Sequence, residues 1–98
     1  AQLEINDPAL LASAILNLRA ALLNQPNSAS IWHQLAIAYG RDGQMGMSAL
    51  AMAEEAFLKG KKRDARYHAK RAEKVLPQGS PAWLQAQDIQ AATEEKKE

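Results

Sequence analysis

Helix-breaking residues recur along this chain at a nearly constant interval, and that interval limits its architecture more than any other feature. Asp7-Pro8 has the form of an N-cap followed by proline at the first helical position, and Asn24-Gln25-Pro26-Asn27 closes the apolar-periodic stretch that follows. Ser28 or Ser30 can cap a second helix running to Gly40 or Arg41, where Asp42-Gly43 supplies a turn. Gly46, Gly60 with its neighbouring lysines, and Pro77-Gln78-Gly79-Ser80-Pro81 divide the remainder. The punctuation predicts five helices, at about 8–24, 28–41, 46–59, 62–76 and 80–94, starting roughly every 17 residues. Residues 1–7 then form a lead-in, 8–94 one helical domain and 95–98 a polar tail, with Ala91 onward expected to fray.

Composition agrees with one all-α domain. Twenty of the 98 residues are alanine, which suits helices whose axes approach closely, and 47% hydrophobic content is enough for one core. The net charge of +1 gives no global field toward nucleic acid or an anionic membrane. There is no cysteine, hence no disulfide and no thiolate metal ligand, and no apolar run near the ~18 residues that span a bilayer. The chain opens Ala1-Gln2-Leu3-Glu4, without initiator methionine or signal peptide, and is expected to be a piece of a longer protein that is monomeric on its own.

Two such helices with their turns make a unit of 34 residues, and the residues inside the units carry a family pattern. Trp32, Leu35, Ala36, Tyr39 and Gly43 have the spacing of the first-helix signature of tetratricopeptide (TPR) repeats. Gly60, Ala65, Ala69, Ala72 and Pro77 have that of the second-helix signature, and Ala14, Leu18, Ala21 and Pro26 repeat it in helix one. The chain therefore resembles a TPR-type array, which implies about five antiparallel helices in a right-handed α-solenoid with small residues at close approaches and bulky ones between. One departure stands out: the tryptophans, Trp32 and Trp83, are three helices apart rather than two or four. Helix three must then act as second helix of one unit and first of the next, and its apolar circumference, from Met45 to Leu58, suits a helix packed on both sides.

A narrower likeness rests on Leu35-Ala36-Ile37-Ala38-Tyr39-Gly40-Arg41-Asp42-Gly43, Ser48-Ala49-Leu50-Ala51-Met52-Ala53-Glu54-Glu55-Ala56 and Gly79-Ser80-Pro81-Ala82-Trp83-Leu84-Gln85-Ala86-Gln87-Asp88-Ile89. Over roughly residues 8–90 the chain resembles the C-terminal TPR tail of bacterial cell-envelope zinc metallopeptidases. That resemblance implies a periplasmic location and a role in presenting proteins to a protease, with outer-membrane proteins or their assembly machinery as partners. The chain itself is expected to be non-catalytic and to hold no cofactor or metal. Neither His33 nor His68 is followed by Glu-x-x-His, the spacing that sets two ligands on one helical face.

Binding residues are sought on helix surfaces. In TPR-type arrays the ligand-facing strip of the first helix corresponds here to Ser30, His33, Ile37, Gly40 and Arg41, of which His33 and Arg41 can make directional polar contacts. The plain alternative is an exposed histidine and an arginine at a helix C-terminus. Eight of the twelve basic residues fall between Lys59 and Lys74, and Lys62, Arg66 and Lys70 at four-residue spacing define a basic face opposite Ala65, Ala69 and Ala72. A solvated face is the plain reading and an acidic partner the functional one; nucleic acid is disfavoured because only Tyr67 interrupts the cations. Glu94, Glu95 and Glu98 are placed to fold back on it. Trp32, Tyr39, Phe57 and Trp83 are expected in the core, and a third reading of the whole chain is a self-associating structural module.

Overall fold

The computed structural model describes residues 7–94, which form five α-helices and no strand: α1 (Pro8–Asn24), α2 (Ala29–Arg41), α3 (Met45–Leu58), α4 (Lys62–Val75) and α5 (Pro81–Ala92). The tail residues Glu95 and Glu98 and most of the lead-in lie outside the described residues. None of these helices is long and apolar enough to cross a membrane.

The start signals act as their chemistry dictates. The Asp7 carboxylate accepts the Ala9 amide at 2.9 Å, Ser28 rather than Ser30 accepts Ile31, and Ser80 accepts Trp83, each satisfying an amide that a helix N-terminus leaves without a partner. Gly43, Gly60 and Gly79 terminate segments at φ of 78°, 78° and 83°, a conformation a side chain resists. Gly46 was expected to break the chain and does not. It sits inside α3 because a Cβ there would lie 2.9 Å from the Leu76 side chain, so its small size serves packing between α3 and the end of α4.

Each helix packs against its neighbours in sequence, and α5 also returns to α3; the α1 backbone stays away from α3, though Arg19, Leu22 and Leu23 share a cavity wall with Met47 and Leu50, and the α2 backbone stays away from α4. Consecutive helices run antiparallel: His33 near the start of α2 meets Glu55 near the end of α3, and Gly46 near the start of α3 meets Leu76 after the end of α4. The result is an elongated helical body of 53 × 26 × 20 Å.

The core divides at α3. On one side Ala49, Leu50, Ala53 and Ala56 pack with Ala65, Ala69 and Ala72 of α4 and Ala86 and Ile89 of α5. On the other, Ala51 packs with Leu35, Ala36, Ala38 and Tyr39 of α2 and Leu11 and Ile15 of α1, while Met47 touches both groups. The third helix is thus packed on both sides, as its apolar circumference leads one to expect. A buried hydrogen bond crosses the second contact, from the Ser48 hydroxyl to the Ala36 carbonyl at 2.7 Å. Gly40, assigned by sequence to the ligand-facing strip, instead faces this contact, since a Cβ there would lie 3.3 Å from Ser48 Oγ.

Of the four aromatics expected in the core, Tyr39 is buried, Trp32 and Trp83 are half-buried, and Phe57 is exposed. Phe57 occupies the face of α3 toward α5, beside Asp88 and Ala92, where the twelve-residue α5 ends before covering it. The C-terminal fraying expected from Ala91 does not begin there, because Thr93 is buried and its hydroxyl donates to the Ile89 carbonyl at 2.7 Å.

Ala69 is fully buried where α4 meets α3. Replacing it with leucine is expected to overpack this contact and destabilise the chain by about 1–3 kcal/mol. Equilibrium denaturation followed by circular dichroism reads this as a lower midpoint with unchanged slope; an unchanged midpoint would refute the close approach at Ala69.

Candidate functional site

Because α2 and α4 flank α3 without touching each other, a cleft of about 280 Å³ opens over α3. Its floor is apolar, made by Ala36 and Ile37 of α2 and Met52 and Ala56 of α3. Its rim is charged or titratable: His33, Glu55, Lys59, Lys61, Asp64 and His68. The antiparallel order of the helices joins the middle of α2, the second half of α3 and the first half of α4 in one place.

Glu55 organises this rim. Its side chain is only 15% exposed, whereas His33 is 58% exposed, and it accepts the His33 Nδ1 proton at 3.1 Å on one oxygen and Lys59 Nζ at 2.7 Å on the other. Burial alone pushes its carboxyl up, but the two hydrogen bonds and the positive charges of Lys59 and His33 outweigh that and hold it below the ordinary carboxylate range. The neighbouring Glu54, with burial and no such partners, is shifted up.

His68 forms the opposite wall and is held neutral. Arg71 donates to its Nδ1 at 2.9 Å, which requires that nitrogen to be unprotonated and leaves the ring proton on Nε2. Burial and then the Arg71 charge lower its pKa, and Asp64 and Glu55 oppose them more weakly. The Tyr67 ring meets His68 edge-on at 5.2 Å, and the Arg71 guanidinium lies 5.8 Å from the centre of the Tyr67 ring.

The four candidates on α2 separate. His33 and Ile37 line the cleft, while Ser30 and Arg41 lie exposed one turn beyond either end of that pair and do not line it. On α4, Lys62 and Lys70 are exposed but Arg66 is half-buried, with its Nε lacking any hydrogen-bond partner. The three are therefore not one solvated face. Arg66 shares the helix side of Glu73, which accepts Gln90 Nε2 at 2.6 Å, so that side turns toward α5. Among the described residues no three His, Cys, Asp or Glu side chains gather closely enough to hold a metal ion.

Comparison of the chain with protein-family models, with curated proteins and with solved structures yields no match.

Sequence reasoning missed Glu55, Met52 and Asp64. The available signal was Glu54-Glu55, the only charged pair in the otherwise uncharged α3. A carboxylate interrupting a helix buried on two sides needs partners; four-residue spacing reports Lys59, but His33 lies 22 residues away and no spacing rule reports it.

These shifts set an acid response. A histidine whose folded pKa is depressed contributes stability that is complete above its unfolded value, about 6.5, and is lost as pH falls below it. The depressed Glu55 carboxyl acts the same way at lower pH, contributing above the ordinary carboxylate pKa and losing that contribution as pH falls through its folded value. Thermal melts should therefore show a loss between neutrality and about pH 5.5, smaller in His68→Gln, whose amide oxygen can still accept from Arg71. An equal loss in both proteins would contradict the depressed His68 pKa.

Proposed function

We propose that this chain is a non-catalytic, TPR-like protein-binding scaffold whose cleft between α2, α3 and α4 receives a segment of a partner protein. The observation that carries the reading is the cleft's construction, an apolar floor with Ile37 at one side and a rim of opposed charges prearranged by Glu55. Apolar floors supply affinity and fixed polar rims supply orientation, the usual division in concave binding sites. The TPR-type spacing of Trp32, Leu35, Ala36 and Tyr39 and of Ala65, Ala69 and Pro77 supports the same class. The likeness at Leu35 to Gly43, Ser48 to Ala56 and Gly79 to Ile89 extends the proposal to a setting: the C-terminal part of a periplasmic zinc metallopeptidase, directing it toward outer-membrane proteins or their assembly machinery. Cofactor, metal and nucleic acid have no part in this reading.

Replacing His33 and Ile37 together with alanine is expected to weaken capture of envelope proteins about tenfold, through loss of an anchor and an orienting group. Melting temperature should fall only modestly, since Ile37 is exposed and Glu55 keeps Lys59 as a donor when His33 is lost. Quantitative pull-down with Ser30→Ala and Arg41→Ala as controls tests this. Capture that survives the cleft pair and is lost in the controls would move the site to the exposed ends of α2.

A second reading, self-association, is favoured by α1. Its outer side exposes Leu10, Leu16 and Leu23, the last at 85%, and Arg19 is the helix's only charge. Terminal helices of stacked arrays ordinarily present a polar outer face. Sedimentation over a concentration series decides it: a monomer at all concentrations removes this reading, and a dimer abolished by Leu16→Glu with Leu23→Glu establishes it.

A further inference from the structure

The outward face of α4 carries charge that the fold does not use. The helix has six cationic and two acidic side chains, and neither acid answers the outer cations: Glu73 is taken by Gln90, and Asp64 lines the cleft. The ion pairs among the described residues are His33 with Glu55 and Lys59 with Glu55, so no α4 cation has an acidic partner among those residues.

Local physics makes this arrangement unfavourable. Lys62 and Arg63 occupy the first turn, where the helix dipole disfavours positive charge, and no side chain caps that end. Lys62, Arg66, Lys70 and Lys74 repel at four-residue spacing. The direction opposite the buried Ala65, Ala69 and Ala72 is occupied by Arg63, Tyr67, Lys70 and Lys74. Tyr67 stands among these cations 62% exposed, with Arg71 over its ring.

We propose that this face is a second protein-docking surface, distinct from the cleft, and that its partner is an acidic amphipathic helix. Glutamates or aspartates of the partner neutralise Arg63, Lys70 and Lys74, and apolar residues one turn apart on the partner cover Tyr67. Charge complementarity selects an acidic partner. The lone ring of Tyr67 disfavours a nucleic acid, whose bases need successive stacking rings where this face has one. The net charge of +1 gives no wider field to collect polyanions.

The test is fluorescence titration of the full 98-residue chain with three probes: an acetylated helical peptide of glutamates with leucines one turn apart, the same peptide with its leucines scattered, and oligothymidylate. Vesicles of phosphatidylcholine and phosphatidylserine in equal parts form a fourth arm. The patterned peptide is expected to bind best, to weaken about tenfold or more when Arg63, Lys70 and Lys74 all become glutamine, and to weaken also with Tyr67→Ala. The triple glutamine variant should melt no lower than the parent, because it removes repulsion. Unchanged peptide binding in that variant, equal binding of the scattered peptide, or tighter binding of oligothymidylate or vesicles would each overturn the proposal. The His33 and Ile37 double variant should bind the patterned peptide as the parent does, which keeps failure of the cleft separate from failure of this face.

Discussion

Close approach of α3 and α4 is the contact on which the rest of the structure depends. It is built almost entirely from alanines, Ala49, Ala53 and Ala56 facing Ala65, Ala69 and Ala72, with Gly46 against Leu76 at one end. Alanine removes little apolar surface from water, so this contact gains its stability from dense atomic packing and from the low conformational entropy lost at each side chain. Large fully buried side chains are few, Leu35 and Leu50. Small residues bring the helix axes together, and Leu50 and Ile89 fill the space beside them.

That geometry explains why polar chemistry concentrates at one end of the helical body. With α3 packed on α2 along one side and α4 along another, its remaining faces look into the cleft and toward α5. Glu55 lies on the cleft side, mostly withdrawn from water, and such a carboxylate is tolerable only with donors. His33 and Lys59 supply them from α2 and from the helix's own last turn. The Arg71 to His68 hydrogen bond does the corresponding work on the facing wall, holding a neutral imidazole beside a cation. The rim is therefore ordered without a ligand, which lowers the entropy a partner must offset on binding.

Much of the fold was legible in the residues. Pro8, Ser28, Gly43, Gly60, Gly79 and Ser80 act through their own backbone preferences or short-range hydrogen bonds, so helix number, order and approximate ends follow from local chemistry. The small-residue positions of α4 were also legible, because a recurring alanine stripe on one side of a cationic helix admits one buried direction. Gly46 misled for a physical reason: a glycine that breaks a helix and one that admits a neighbour look alike until the neighbour is placed.

What the sequence determined by itself is an all-α chain of five helices with a doubly packed third helix, since these depend on periodicity and caps within a few residues. Only the tertiary structure decided which side chains share a site. The step from Glu55 to His33 spans 22 residues, and the absence of contact between α2 and α4, which opens the cleft, is a property of how three helices pack. The same holds for Arg66, which a helical projection puts with Lys62 and Lys70 but α5 half covers. Rotation of one helix about its axis against its neighbours is set by interlocking side chains along its whole length, and no residue carries that information alone.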